Sequence, residues 1–465
     1  MSVTKQLKRR VRAGRCGAAA TALCLAAPLA TMGSAAAANL HPAGSSVTIK
    51  IAVVSNPDME TIEQLTKEGY FSKVDPGINV EFDTLNENTE RQIIETDITT
   101  HADEFNAVMI SNYETPMWAK NGWLVNLSAY TAADRAYDVN DLVAPIREAL
   151  SVDGQLYSVP FYGESSMVYY RKDLFKAAGL SMPLHPTWAQ IASFAQKLND
   201  PSKGTAGICL RGEPGWGENL AALDTVINTW GGDWFNMAWK PQLTSAPDEA
   251  ATNFYVNLVR KYGEPGASND GFTECLNDYD AGKAAMWYDA TVAAGTIATN
   301  APSVFANTGY AYAPTGPAGI PSGWLYTWSL SIPTGTANEA DTWKFLSWAT
   351  GPAYLDLVGQ KLGWAAVPPG TRDSLYKNPN YQKAAGAFAN ITLASIDRAN
   401  PDHPTLHPVP YVGVQFVDIP EFIDLGTEVS NQIAGAIAGT ESVSQALSTS
   451  QSDAQSVVSQ AGLGK

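Results

Sequence analysis

Residues 47–54, Val-Thr-Ile-Lys-Ile-Ala-Val-Val, make an apolar, β-branched run of strand length, and Asn56-Pro57-Asp58 directly after it carries the signals of a helix start. The pattern predicts a buried strand followed by a helix through Leu65. It repeats downstream: Ile78 to Phe82 reads as a second strand with a helix around Glu90 to Ile98, and Ala107 to Ile110 as a third strand. Strands alternating with helices predict βαβ units and a mainly parallel sheet covered on both faces. In such sheets a ligand sits beyond the carboxyl ends of the strands, which brings Ser55, Asn56, Asn86, Ser111, Asn112, Tyr113 and Glu114 towards any site.

Outward from this core, Met167-Val-Tyr-Tyr-Arg-Lys-Asp-Leu-Phe reads as a strand running straight into a helix, and Trp188 to Leu198 as a helix. A further αβ set spans Ile208 to about Ala313. Aromatic residues return at Trp324 to Trp328, and Val429 to Leu447 has helical spacing and reads as packing.

The N-terminus bears Lys5, Lys8, Arg9, Arg10, Arg12 and Arg15, then an Ala/Leu-rich run, then Ala35 to Ala38. A basic start, an apolar middle and a small-residue end describe a signal peptide over residues 1–38, and hence an exported, extracytoplasmic protein, secreted or held at the cell envelope. Neither Cys16 nor Cys24 sits in a good lipobox. Cleavage removes six of the 30 basic residues and none of the 46 acidic ones, so the formal charge moves from −16 to −22. Such an acidic surface repels nucleic acid and anionic lipid, so no nucleic-acid partner is expected.

Roughly 400 residues remain, more than one core holds, so at least two lobes are expected. Cys209 and Cys275 are then the remaining cysteines, read as a disulfide in an oxidising compartment, with two free buried thiols as the alternative. No HExxH, phosphate loop or dinucleotide fingerprint occurs, so neither metal nor cofactor is expected. Asp278-Tyr-Asp-Ala-Gly echoes a calcium loop without its spacing and is read as a helix-entry turn.

Several segments in order resemble the family 1 extracellular solute-binding proteins of carbohydrate ABC importers. They are Val152-Asp-Gly-Gln-Leu-Tyr-Ser-Val-Pro with Tyr169-Tyr-Arg-Lys-Asp-Leu-Phe, then Asp280-Ala-Gly-Lys-Ala-Ala-Met as a helix start, then Gly363 with Pro368 and Arg372. Ile110-Ser-Asn-Tyr-Glu, Trp118-Ala-Lys-Asn-Gly-Trp and Tyr411-Val-Gly-Val-Gln-Phe resemble the sorbitol/mannitol branch. The resemblance implies a two-lobed, hinged, type II periplasmic-binding-protein-like α/β fold that closes on a ligand. It implies crossings near Gly163, Tyr312 and Leu362, with residues 47–163 and 313–362 in one lobe and 164–312 and 363–465 in the other. The implied partners are a small neutral polyol or sugar and the permease subunits of the importer, the protein itself being a monomer and no enzyme.

A polyol site needs carboxylates and amides as acceptors, Arg or Asn as donors, and aromatic walls. Glu114, Glu164, Arg211, Asp289 and Arg372 are the charged candidates, with Asn56, Asn86 and Asn219 as amides, Tyr113 and Tyr162 as hydroxyls, and Gly363 at a turn. Each has a plainer alternative: Glu164 as a hinge tie, Asp289 as a helix-surface acid beside a core Trp, Arg372 as an interlobe salt bridge. Trp216, Trp230, Trp287, Trp324 and Trp328 are candidate walls, Trp287 and Trp324 foremost, whereas Trp343 and Trp348 read as helix packing. The rival readings are a ligand of another kind, such as an oligosaccharide or betaine, and a secreted glycoside hydrolase, which also uses paired carboxylates and aromatic walls.

Overall fold

The computed structural model describes residues 46–465, so the expected signal peptide lies outside the described residues. Ten strands are found in this part: β1 Val47–Val54, β2 Ile78–Leu85, β3 Ala107–Ser111, β4 Ser151–Val152, β5 Gln155–Leu156, β6 Val159–Glu164, β7 Ser166–Arg171, β8 Met286–Ala290, β9 Thr308–Tyr312 and β10 Tyr326–Ser331. They form a five-stranded sheet in the order β2-β1-β3-β10-β6, a three-stranded sheet in the order β8-β7-β9, and a small β4-β5 hairpin.

In the first sheet β2, β1 and β3 are parallel, as the alternation of strands and helices predicts, with Ile51 opposite both Phe82 and Ala107. Alternate residues of a strand face opposite sides of the sheet. Ile51, Val53, Ala107 and Met109 accordingly pack into one apolar core with Met59, Ile62 and Leu65 of the helix Pro57–Lys67. Ala52, Val108 and Ile110 pack into another with Ile94 and Ile98 of the helix Glu87–Thr100. The order places a topological switch between β1 and β3, where open α/β sheets bind ligands.

The second sheet departs from the expectation of a mainly parallel sheet. β8 and β9 both run antiparallel to β7, and β10 runs antiparallel to β3 and β6 in the first sheet. The crossing accounts for two of these four pairings, β6 with β10 and β7 with β9. β6 of one sheet runs through Ser165 into β7 of the other, and β9 returns to β10; a strand that leaves and a strand that comes back point opposite ways. They pair as neighbours in each sheet. Across the second sheet Trp287 stacks on Tyr169 at 5.0 Å, and Tyr310 meets the same ring edge-on, a cross-strand aromatic set that fixes register.

Two local expectations are corrected. Asp280-Ala-Gly-Lys is a helix end, not a helix start: the helix Phe272–Asp280 stops at a turn where Gly282 has φ +72°, and Trp287-Tyr-Asp289 belongs to β8. The tail is two helices, Phe422–Ala438 and Val443–Ala461, because Gly439 at φ +80° ends the first. The helix Trp188–Leu198 is as expected and is closed by a Thr187/Gln190 capping box. Trp343 and Trp348 lie on the helix Glu339–Ala349 and pack against Tyr130, Tyr137 and Phe71. Cys209 and Cys275 form a disulfide spanning 66 residues.

Candidate functional site

A cavity of about 520 Å³ opens beyond the carboxyl end of β1, lined on one side by Ser55, Asn56, Asn86 and Tyr162 and on the other by Arg211, Glu213, Trp216, Gly217, Glu218 and Ala221 and by residues 272–274. Each wall is positioned by a helix start or a strand end. Asn56 caps the helix Pro57–Lys67 through Met59 N and sends its Nδ2 to Tyr162 Oη at 3.1 Å. Asn86 caps the helix Glu87–Thr100 through Thr89 N. Their side-chain oxygens serve the backbone, so the Asn86 amide nitrogen and the second N–H of the Asn56 amide are the groups left for a ligand.

Two arginines organise the charge. Arg211 is held bidentate by Asp289, Nη2 to Oδ1 at 2.6 Å and Nε to Oδ2 at 2.9 Å, and donates from Nη1 to Gly217 O at 2.7 Å. Asp289 is fully buried, and Trp287 Nε1 donates to its Oδ2 at 3.1 Å. Arg91 donates to Glu114 at 2.7 Å, to Glu87 at 2.9 Å and to Tyr326 Oη at 2.5 Å. Its guanidinium lies 4.2 Å from the ring centre of Trp216 and 4.6 Å from that of Trp328.

Against these two cations the lining sets Glu87, Glu164, Glu213, Glu218 and Glu274. Burial pushes Glu164 well above the usual carboxylate range, partly offset by the positive Arg211, and pushes Glu218 to about 8. Glu213 is also raised by burial and by the neighbouring Glu274. Four lining residues keep a polar atom with no protein partner: Glu164 Oε2, Trp216 Nε1, Trp324 Nε1 and Gln415 Oε1. Two acceptors and two donors thus lie unpaired among the lining residues.

Of the residues expected from sequence, the structure brings Asn56, Asn86, Tyr162, Glu164, Arg211, Trp216, Trp324 and Trp328 together on this cavity. The others do not line it. Trp287 is buried among Tyr169, Tyr279 and Phe272, because β8 turns its ring into the core, and Asp289 beside it holds Arg211 from behind. Glu114 is taken up by Arg91, Ser111 N and Ser111 Oγ. Tyr113 inserts its ring against Trp216 and Phe416 and donates to Ile419 O at 2.9 Å. Asn219 donates to Gly212 O and Ser430 O.

Gly363 and Arg372 belong to a segment that runs along the edge of β6, where Gly163 N donates to Pro369 O at 2.9 Å. Arg372 therefore points away from the cavity. It donates to the carbonyls of Thr350 and Asp138, lies over Tyr137 and sits 3.6 Å from Asp141. Trp230 packs on Phe254.

Sequence reading missed Glu87, Asn88, Arg91, Glu213, Glu218, Phe272, Glu274, Tyr326 and Gln415. The Glu87/Arg91 pair had a signal in its i,i+4 spacing on a predicted helix. Gln415 lies inside the Tyr411-Val-Gly-Val-Gln-Phe motif singled out for another reason.

Residues 54–355 match the model of the bacterial extracellular solute-binding proteins. The chain belongs to that family. This solute-binding protein is 42% identical over 445 residues to the mannitol-binding protein of Pseudomonas aeruginosa, covering 96% of this chain and 98% of that one. It is similar, at 48% identity and a TM-score of 0.88, to the crystal structure of an ABC transporter solute-binding protein from Agrobacterium vitis S4 with bound D-mannitol, covering 90% of this chain and all of the other. An Agrobacterium radiobacter K84 solute-binding protein in complex with ribitol shares the fold, at 22% identity and a TM-score of 0.78 over 89% of this chain and 99% of that one. These neighbours are two-lobed type II proteins, as the sequence predicts. The family is one of binding proteins, so the glycoside hydrolase reading falls away. Among the described residues, no helix is long and apolar enough to cross a membrane.

Proposed function

We propose that this protein captures a small neutral polyol of the mannitol and sorbitol kind outside the cytoplasm and delivers it to the permease subunits of an ABC importer. The observation that carries this reading is the set of unpartnered atoms on cavity-lining residues, Glu164 Oε2, Trp216 Nε1, Trp324 Nε1 and Gln415 Oε1. Hydroxyls both donate and accept, so an acyclic polyol can answer donors and acceptors alternately along its length. A volume of about 520 Å³ suits a small ligand. The mannitol-binding relative and the mannitol-bound neighbour support the same class.

The charge argues against other solutes. Five acidic side chains, some of them held neutral by burial, face two arginines already engaged with acids, which disfavours an anion. A quaternary ammonium needs open aromatic faces, yet Arg91 already stands over Trp216 and Trp328.

In this reading residues 1–38 are a cleaved signal peptide and the mature chain is exported. Residues 47–163 with 313–362 form one lobe and 164–312 with 363–465 the other, a division supported by β6 and β10 sharing one sheet and β7 and β9 the other, although residues 369–372 lie against the first lobe. Ligand contacts from both lobes favour the closed form by differential binding.

The test is calorimetric titration of ligand-stripped mature protein with mannitol, sorbitol, arabinitol, xylitol, glucose, maltose, trehalose and betaine. Tight binding confined to linear polyols is expected. Binding confined to cyclic sugars or to betaine overturns the polyol assignment and leaves family membership intact.

A further inference from the structure

A second cavity of about 140 Å³ shares no lining residue with the first, although its Gly323 and Val414 adjoin Trp324 and Gln415 of the first in sequence. Its wall brings two cationic-type side chains to one tyrosine. The His185 ring lies parallel to that of Tyr312 at 4.5 Å and 9°, and the Arg398 guanidinium lies 5.3 Å from the centre of the same tyrosine. His403 completes the polar rim, and Ala313, Ile320 and Val414 make an apolar floor.

In a chain of net charge −16 this lining contains no Asp or Glu. Asp397 and Asp402 neighbour the rim in sequence and do not line it. Among the described residues no carboxylate lies within ion-pair distance of Arg398. The contrast with the first cavity, where both arginines are matched by acids, is one of chemistry as well as of place.

The geometry points to this second cavity as a binding site for a small organic carboxylate with an apolar body, its carboxylate on Arg398 and its body on the floor. An arginine fork fits a carboxylate bidentately, and with Tyr312 behind it the guanidinium keeps its in-plane N–H groups for the ligand. The volume is below that of sites for drug-sized molecules, which limits the body to a short branched chain or one ring. The site also has a structural path to the first cavity. Thr225 on its wall shares a hydrogen bond with Tyr288 Oη at 3.0 Å, and the Tyr288 ring meets that of Trp324, which lines the polyol cavity, at 6.1 Å.

The test is titration of the mature protein with isovalerate and benzoate, and with isovaleramide and benzamide as uncharged counterparts, repeated on Arg398→Gln and in saturating D-mannitol. Arg398 is exposed, so the variant is expected to fold, and an unchanged melting temperature verifies it. The expected result is binding of the acids, at least about tenfold weaker binding of the amides, a similar loss in Arg398→Gln, and no competitive displacement by mannitol. Equal binding of acids and amides, binding unaffected by Arg398→Gln, or no binding of either acid overturns the proposal. Competitive displacement by mannitol also overturns it, since the acids would then occupy the first cavity. The comparison of Arg398→Gln with the parent decides the matter even if mannitol itself does not bind.

Discussion

The guanidinium of Arg91 stands 4.2 Å from the ring centre of Trp216, a contact between the helix that follows β2 and the loop that carries Arg211. Arg91 also neutralises Glu114, which is buried with it. Arg91→Ala is therefore expected to lower the unfolding free energy by about 3 kcal/mol, the scale of stranding a buried charge. Mannitol affinity should fall at least about tenfold, because Trp216 loses the surface that orients it. Arg91→Lys is not expected to rescue, since an ammonium cannot both stack and fork. Urea unfolding and calorimetry read the two effects separately, and intact affinity in Arg91→Ala would count against the role.

Asp289 lies behind the cavity wall, yet its substitution should be felt in binding. Asp289→Asn leaves Arg211 buried without its bidentate anion, at a cost of about 3 kcal/mol or more in stability. Mannitol affinity is expected to drop as Arg211 moves. A variant with lowered melting temperature and unchanged affinity would show that Arg211 does not contact the ligand.

Burial favours the neutral acid at Glu164. Glu164→Gln, a neutral group of the same shape, is then expected to bind mannitol within about threefold of the parent at pH 7, and Glu164→Leu at least about tenfold worse, the scale of one to two lost hydrogen bonds. If both variants lose affinity equally, the carboxylate form is the one that binds.

Stability should fall as pH rises from about 5 to about 8. Burial raises the Asp248 carboxyl to about 7 and that of Glu218 to about 8. The folded protein therefore holds protons that the unfolded chain releases near its ordinary carboxylate range. Their stabilising contribution is complete below that range and is lost as pH climbs through the raised values. Melting temperatures at pH 5, 6.5 and 8 should decline in that order, and Asp248→Asn should flatten the slope. A rising series contradicts the assignment.

The disulfide closes a loop of 66 residues. By the chain-entropy account, replacing Cys209 and Cys275 together by serine costs about 4 kcal/mol. Neither cysteine lines the cavity, so ligand affinity of the folded fraction should be unchanged. Denaturant unfolding and titration of the same preparation check both statements.

The strands and helices around β1 to β3 were legible because β1 and β3 are largely apolar, β2 begins with alternating Ile78, Val80 and Phe82, and Asn56-Pro57-Asp58 announces the first helix. The sense of the second sheet was not legible. Local pattern gives a strand's existence, while its direction depends on which sheet the chain has just left. The cavity was half legible for a similar reason. Asn56, Glu164 and Arg211 sit at element ends, where pattern points to a site. Arg91 and Glu218 lie within helical segments whose inward face is known only once the opposite wall is in place. Arg372 and Trp287 show the converse: a residue type suited to sugar binding, in a suggestive motif, was claimed by the interior.

The neighbour relations of the crossing strands also govern when the molecule can assemble. β10 lies between β3 and β6, so the five-stranded sheet has a gap between these two strands until residue 331 has been made. β6 borders only β10 in that sheet, and so it waits for a segment more than 150 residues away in the chain. A nascent chain therefore cannot close this sheet until about residue 331 of its 465 has been made.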